Sequence, residues 1–106
     1  MADTIIHVGD VGTIFRLTIT EKDEITAVDV STATVKRLIF RSRSGVSRSR
    51  NASFTTDGTD GKIEYRTAAG DIDEAGRWWV QGYVELATGG KYYSVAKSFT
   101  VRENLL

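Results

Sequence analysis

The sequence has 106 residues, which suits a single domain over 1–106 of the size that just buries a core of its own. Apolar residues make up 41% and charged residues 26%, excluding the weakly hydrophobic, highly charged class of disordered chains, and the chain is expected to be folded and soluble. The net charge is zero and there is no cysteine, which excludes a disulfide framework and a thiolate zinc site.

Taken by segment, the charge is polarised. Residues 1–30 hold six acids and two bases, 31–56 hold six bases and no acid, 57–76 hold six acids and two bases, and the remainder holds four bases and two acids. Met1 to Asp10 lacks a basic stretch followed by an apolar run. No segment approaches the ~20 apolar residues that span a bilayer, so neither export nor membrane insertion is expected.

In chain order, Ile5 to Val8 reads as a short first strand. Thr13 to Thr20 alternates, with Phe15, Leu17 and Ile19 on one face and Arg16, Thr18 and Thr20 on the other. Val35 to Arg43 follows, with Leu38 and Phe40 on the face opposite Ile39. Arg48 to Thr55 comes next, then Lys62 to Thr67 with Ile63 and Tyr65 inward. The longest strand is Arg77 to Leu86, where Trp78, Val80, Gly82, Val84 and Leu86 share a face. Its partner is Tyr92 to Arg102, reached through residues 87–91. Turns rich in Gly, Asp and Ser separate these runs, and no stretch has helical periodicity. The sum is an all-β chain, read as an immunoglobulin-like antiparallel β-sandwich of about seven strands. With no proline, edge strands must rely on charge to discourage further pairing.

Glu74, Gly76, Trp78 and Val80 have the spacing of the corner that enters the sixth strand of immunoglobulin-like folds. There the small residue permits the corner, Trp78 plugs the end of the core and Val80 takes a central site. Any glycine turn before an aromatic strand gives the same pattern. A longer ordered series comprises Ile6–Thr13 (IHVGDVGT), Val28–Thr34 (VDVSTAT), Ile39–Phe40, Phe54–Ile63 (FTTDGTDGKI), Ala69–Asp73 (AGDID), Gly76–Trp78 (GRW) and Phe99–Val101 (FTV). This series resembles a family of tailed-bacteriophage virion domains, typified by the amino-terminal immunoglobulin-like module of phage baseplate upper proteins. The resemblance implies a non-enzymatic virion structural protein, in the baseplate or tail or as a decoration or joining module of the head. It would be made in the host cytoplasm, work in the virion, and act through contacts with other virion proteins and as a homo-oligomer.

Phe40 to Arg50 is nearly a palindrome about Gly45-Val46. A two-residue turn there sets Arg43 opposite Arg48 and Arg41 opposite Arg50, crowding four guanidinium groups on one face, where like charges repel unless an anionic partner arrives. A solvated loop with its arginines spread apart is the other reading. A nucleic-acid partner is not expected, because the tract has no stacking aromatics nearby and the net charge is not basic.

The acidic turns carry Asp57 and Asp60 and, further on, Asp71 and Asp73. They lack EF-hand spacing and use ordinary Asp-Gly turn chemistry, so no metal is expected. They could instead meet the arginine tract of a neighbouring copy in a heterologous contact. His7 is the one histidine and no G-x-S-x-G elbow accompanies it, so no catalytic residue and no cofactor is expected. Trp79 and Tyr83 point away from the Trp78 side, with Tyr92 or Tyr93 beside them across the hairpin. Such a face serves cross-strand packing, a protein interface or a sugar platform. The last would make the chain a carbohydrate- or receptor-binding module of the host-recognition apparatus.

Overall fold

In the computed structural model, which describes residues 6–23 and 25–104, the chain is all-β and the described residues contain no helix. Among these residues nine strands form: β1 (Ile6–His7), β2 (Ile14–Thr18), β3 (Ala33–Arg41), β4 (Ser47–Asn51), β5 (Ser53–Phe54), β6 (Lys62–Arg66), β7 (Gly76–Leu86), β8 (Lys91–Tyr93) and β9 (Lys97–Arg102). Ile5, expected to open the first strand, lies outside the described residues.

One sheet runs β1-β9-β7-β3-β4, with β8 paired to the second half of β7. The other runs β2-β6-β5. The first sheet is mixed, because β1 lies parallel to β9 while its remaining pairs are antiparallel. The sheets curl into a half-barrel around one core. Leu17, Ile19 and Ile63 face Leu38, Phe40, Trp78, Val80, Val84 and Val101, and every one of them is buried. The alternation expected in β2, β3, β6 and β7 therefore orients those strands as read. Phe15 packs edge-on to Phe40 at 5.2 Å between centroids and against Phe99 at 4.8 Å, closing one end of the core.

The strand count departs from about seven for two local reasons. The run expected over Arg48 to Thr55 breaks at Ala52, which is buried and donates its N–H to the Lys36 carbonyl at 2.9 Å. Before this point the chain belongs to the six-stranded sheet, and after it to the three-stranded one. The run over Tyr92 to Arg102 breaks at Ser94, whose hydroxyl turns inward to accept the Gly82 N–H at 2.7 Å and donate to the Val95 carbonyl at 3.1 Å. Gly82 makes room for this: a Cβ there would stand 3.2 Å from Ile63 Cδ1 and 3.4 Å from Ser94 Oγ. Period-2 reading sees a continuous strand in both places, since neither break disturbs the polar and apolar alternation.

Candidate functional site

The arginine tract does not form a two-residue hairpin. Ser42 donates its N–H to the Val46 carbonyl and Gly45 to that of Ser42, closing a five-residue loop over residues 42–46, with Gly45 at φ 91°. Arg48 then stands opposite Phe40 and Arg50 opposite Leu38. Directly opposed residues share a face, so these two arginines lie on the core side of β4 while Arg41, opposite Ser47, lies on the outer side. The expected opposition of Arg43 to Arg48 and of Arg41 to Arg50 is overturned by this register. Arg43 is exposed in the loop, and its stem lies over Gly76, where an added Cβ would come within 2.5 Å of Arg43 Cδ.

Arg48 and Arg50 find their anions within the chain. Arg48 donates to the carbonyl of Gly70 at 2.9 Å and to Asp73 Oδ2 at 2.6 Å, and Arg50 Nε donates to Asp71 Oδ1 at 2.9 Å. Asp71 Oδ2 also accepts the Tyr65 hydroxyl at 2.6 Å and the Ala68 N–H at 2.7 Å. Burial pushes the Asp71 carboxyl up, but these hydrogen bonds outweigh it and hold the group below its usual range. Burial, then the bond to Asp71, raises the Tyr65 hydroxyl. The contact expected between the Asp71–Asp73 turn and the tract of another copy is thus made intramolecularly, pinning the 67–75 connection to the β4 edge.

Asp57 and Asp60 organise their own turn. Asp57 Oδ1 accepts the N–H and hydroxyl of Thr59 at 3.0 and 2.7 Å, and Asp60 accepts the Thr56 hydroxyl and the Lys62 N–H. The Thr59 hydroxyl and N–H together hold the Asp57 carboxyl low. At the corner before β7, the Trp78 indole N–H donates to the Glu74 carbonyl at 2.9 Å, and the Glu74 carboxylate accepts from the Ser44 N–H and hydroxyl. His7 sits in β1 opposite Arg102.

The outer face of the six-stranded sheet gathers the remaining residues. Trp79, Gln81 and Tyr83 of β7 stand opposite Arg41, Ile39 and Arg37 of β3. Trp79 is 44% exposed and Tyr93 59% exposed. The expected aromatic partner Tyr92 is opposite Val84 and so belongs to the other face, beside an open groove walled by Thr20–Asp23. Tyr93, opposite Tyr83 with ring centroids 4.7 Å apart, takes its place. Arg37 escapes a reading centred on the palindrome. Its position one alternation step from Ile39 was the available signal.

Between the Arg41–Trp79 and Ile39–Gln81 pairs lies a depression of about 260 Å³, lined in part by those four side chains and Ser47. Gln81 donates its amide N–H to the Ser94 carbonyl at 3.0 Å, and its Oε1 accepts no hydrogen bond among the described residues. Arg41 Nε reaches only the Ser47 hydroxyl, at 3.5 Å, and makes no ion pair among the described residues. Compared with protein-family models and with curated proteins, the chain matches none.

Proposed function

We propose that this chain is a non-enzymatic, immunoglobulin-like structural module of a bacteriophage virion that binds other virion proteins, including copies of itself, through the outer face of its six-stranded sheet. Strand order supports the fold assignment: β4-β3-β7-β9 in one sheet and β5-β6-β2 in the other follow the C′CFG and DEB arrangement of variable-type immunoglobulin sandwiches. The Trp78 bond to Glu74 stands where such domains use a tyrosine for the same corner. Assignment to the virion rests on the ordered resemblance described above.

The observation that carries the contact role is the exposure of Trp79 and Tyr93 on the same face as Arg37 and Arg41. Tryptophan, tyrosine and arginine are the residue types that concentrate binding energy at protein interfaces, because each combines a large apolar body with a polar tip. Sedimentation velocity across a wide concentration range tests it. Association that disappears in the Trp79→Ala, Tyr93→Ala double variant supports the role. A chain that stays monomeric, and whose retention by virion proteins is indifferent to that variant, overturns it.

A further inference from the structure

We propose that the depression beside Trp79 is a binding site for one sugar ring bearing a carboxylate, such as a hexuronate unit of an acidic polysaccharide. This goes beyond the contact role above and does not depend on it. At about 260 Å³ the space falls just below the roughly 300–1,000 Å³ of sites for drug-sized ligands, and so suits a single ring. Its chemistry is mixed in the way a pyranose requires. The half-exposed indole of Trp79 offers an apolar plane to the ring's C–H face, while Gln81 Oε1 accepts and the Ser47 hydroxyl both donates and accepts. The Gln81 amide is already oriented by its bond to Ser94, so no rotamer freedom is lost on binding.

Arg41 supplies the preference for an acid. Its planar donor fork has no carboxylate partner among the described residues and lines the depression directly. Arg77 lies one alternation step along β7 from Trp79 and so shares its outward face, which adds a second cation to the surroundings. The acid on the outward side of β7, Glu85, is at the strand's far end. A carboxylate at the edge of the sugar ring satisfies the guanidinium while the ring's C–H face lies on the indole.

Saturation-transfer NMR and tryptophan fluorescence titrations of the full chain with D-glucuronate, D-glucose and acetate separate the possible sources of this chemistry. Saturable glucuronate binding that exceeds both glucose and acetate is expected. Trp79→Leu should abolish it. Arg41→Met should weaken glucuronate by about tenfold or more, to the level of glucose. Melting temperatures of both variants should match the parent, since both side chains are on the exposed face. Equal binding of acetate and glucuronate would reveal a bare carboxylate site of the kind a peptide terminus fills, and would overturn the proposal. So would indifference to Trp79→Leu, or no saturable binding. None of these failures touches the contact role, which sedimentation reads without sugar.

Discussion

The Arg50 guanidinium meets the Asp71 carboxylate at 2.9 Å, joining the edge strand β4 to the connection that precedes β7. Asp71 keeps only 11% of its side-chain surface exposed, so the pair is weakly screened by salt. A carboxyl group whose pKa is depressed by folding adds stability that is present above its unfolded value, about 3.9, and lost as pH falls through the folded one. Acid unfolding followed by circular dichroism should therefore begin near pH 4. Asp71→Asn should remove about 2 kcal/mol at neutral pH and make the acid limb shallower, because residue 71 then has no carboxylate to protonate.

Tyr65 gives the opposite limb. Burial and the bond to Asp71 raise its hydroxyl pKa on folding, so the stability it adds is complete below the unfolded value of about 10. It is lost as pH rises through the folded value. Tyr65→Phe should leave the alkaline limb shallower, and at neutral pH should cost about 1–2 kcal/mol through the Asp71 oxygen left with one donor fewer. Urea unfolding at neutral and alkaline pH checks both.

Gly82 is a packing device in the centre of β7. Gly82→Ala would place a methyl 3.2 Å from Ile63 Cδ1, closer than ordinary contact, in a core that yields little. The expected cost is about 1–3 kcal/mol. Ile63→Val removes the obstructing atom, so the double variant should lose less than the sum of the two single losses. Simple additivity would refute the contact as the cause.

Much of the fold was legible because the strands alternate cleanly. Trp78, Val80, Gly82 and Val84 could be set inward, and Trp79, Gln81 and Tyr83 outward, from period alone. The site was legible in part. Trp79 and Arg41 were named, but what brings them together is the non-local β3–β7 register. The Arg-Ser repeat looks alike in several registers against β3. Turn length then decides which arginines face the core. Tyr92 and Tyr93 are adjacent, and which of them faces outward depends on the hairpin that carries them. Arg50 and Asp71 are joined only by the tertiary fold, which no local pattern in either segment announces.

Trp78 tests the corner. Its ring is buried at the end of the core near Phe99, and its N–H satisfies the Glu74 carbonyl four residues upstream. Trp78→Phe keeps an aromatic ring but shrinks the buried volume and removes the donor, so two costs add: a partial cavity and a carbonyl without its partner. Together they should amount to about 2–4 kcal/mol in denaturant unfolding. Glu74 also receives the Ser44 N–H and hydroxyl, so loosening this corner should loosen the 42–46 loop as well. Hydrogen exchange at the Ser44 amide should therefore rise in Trp78→Phe more than at Leu38 or Val80 in the sheet centre. A uniform rise across all three would mean that the corner and the loop are not coupled.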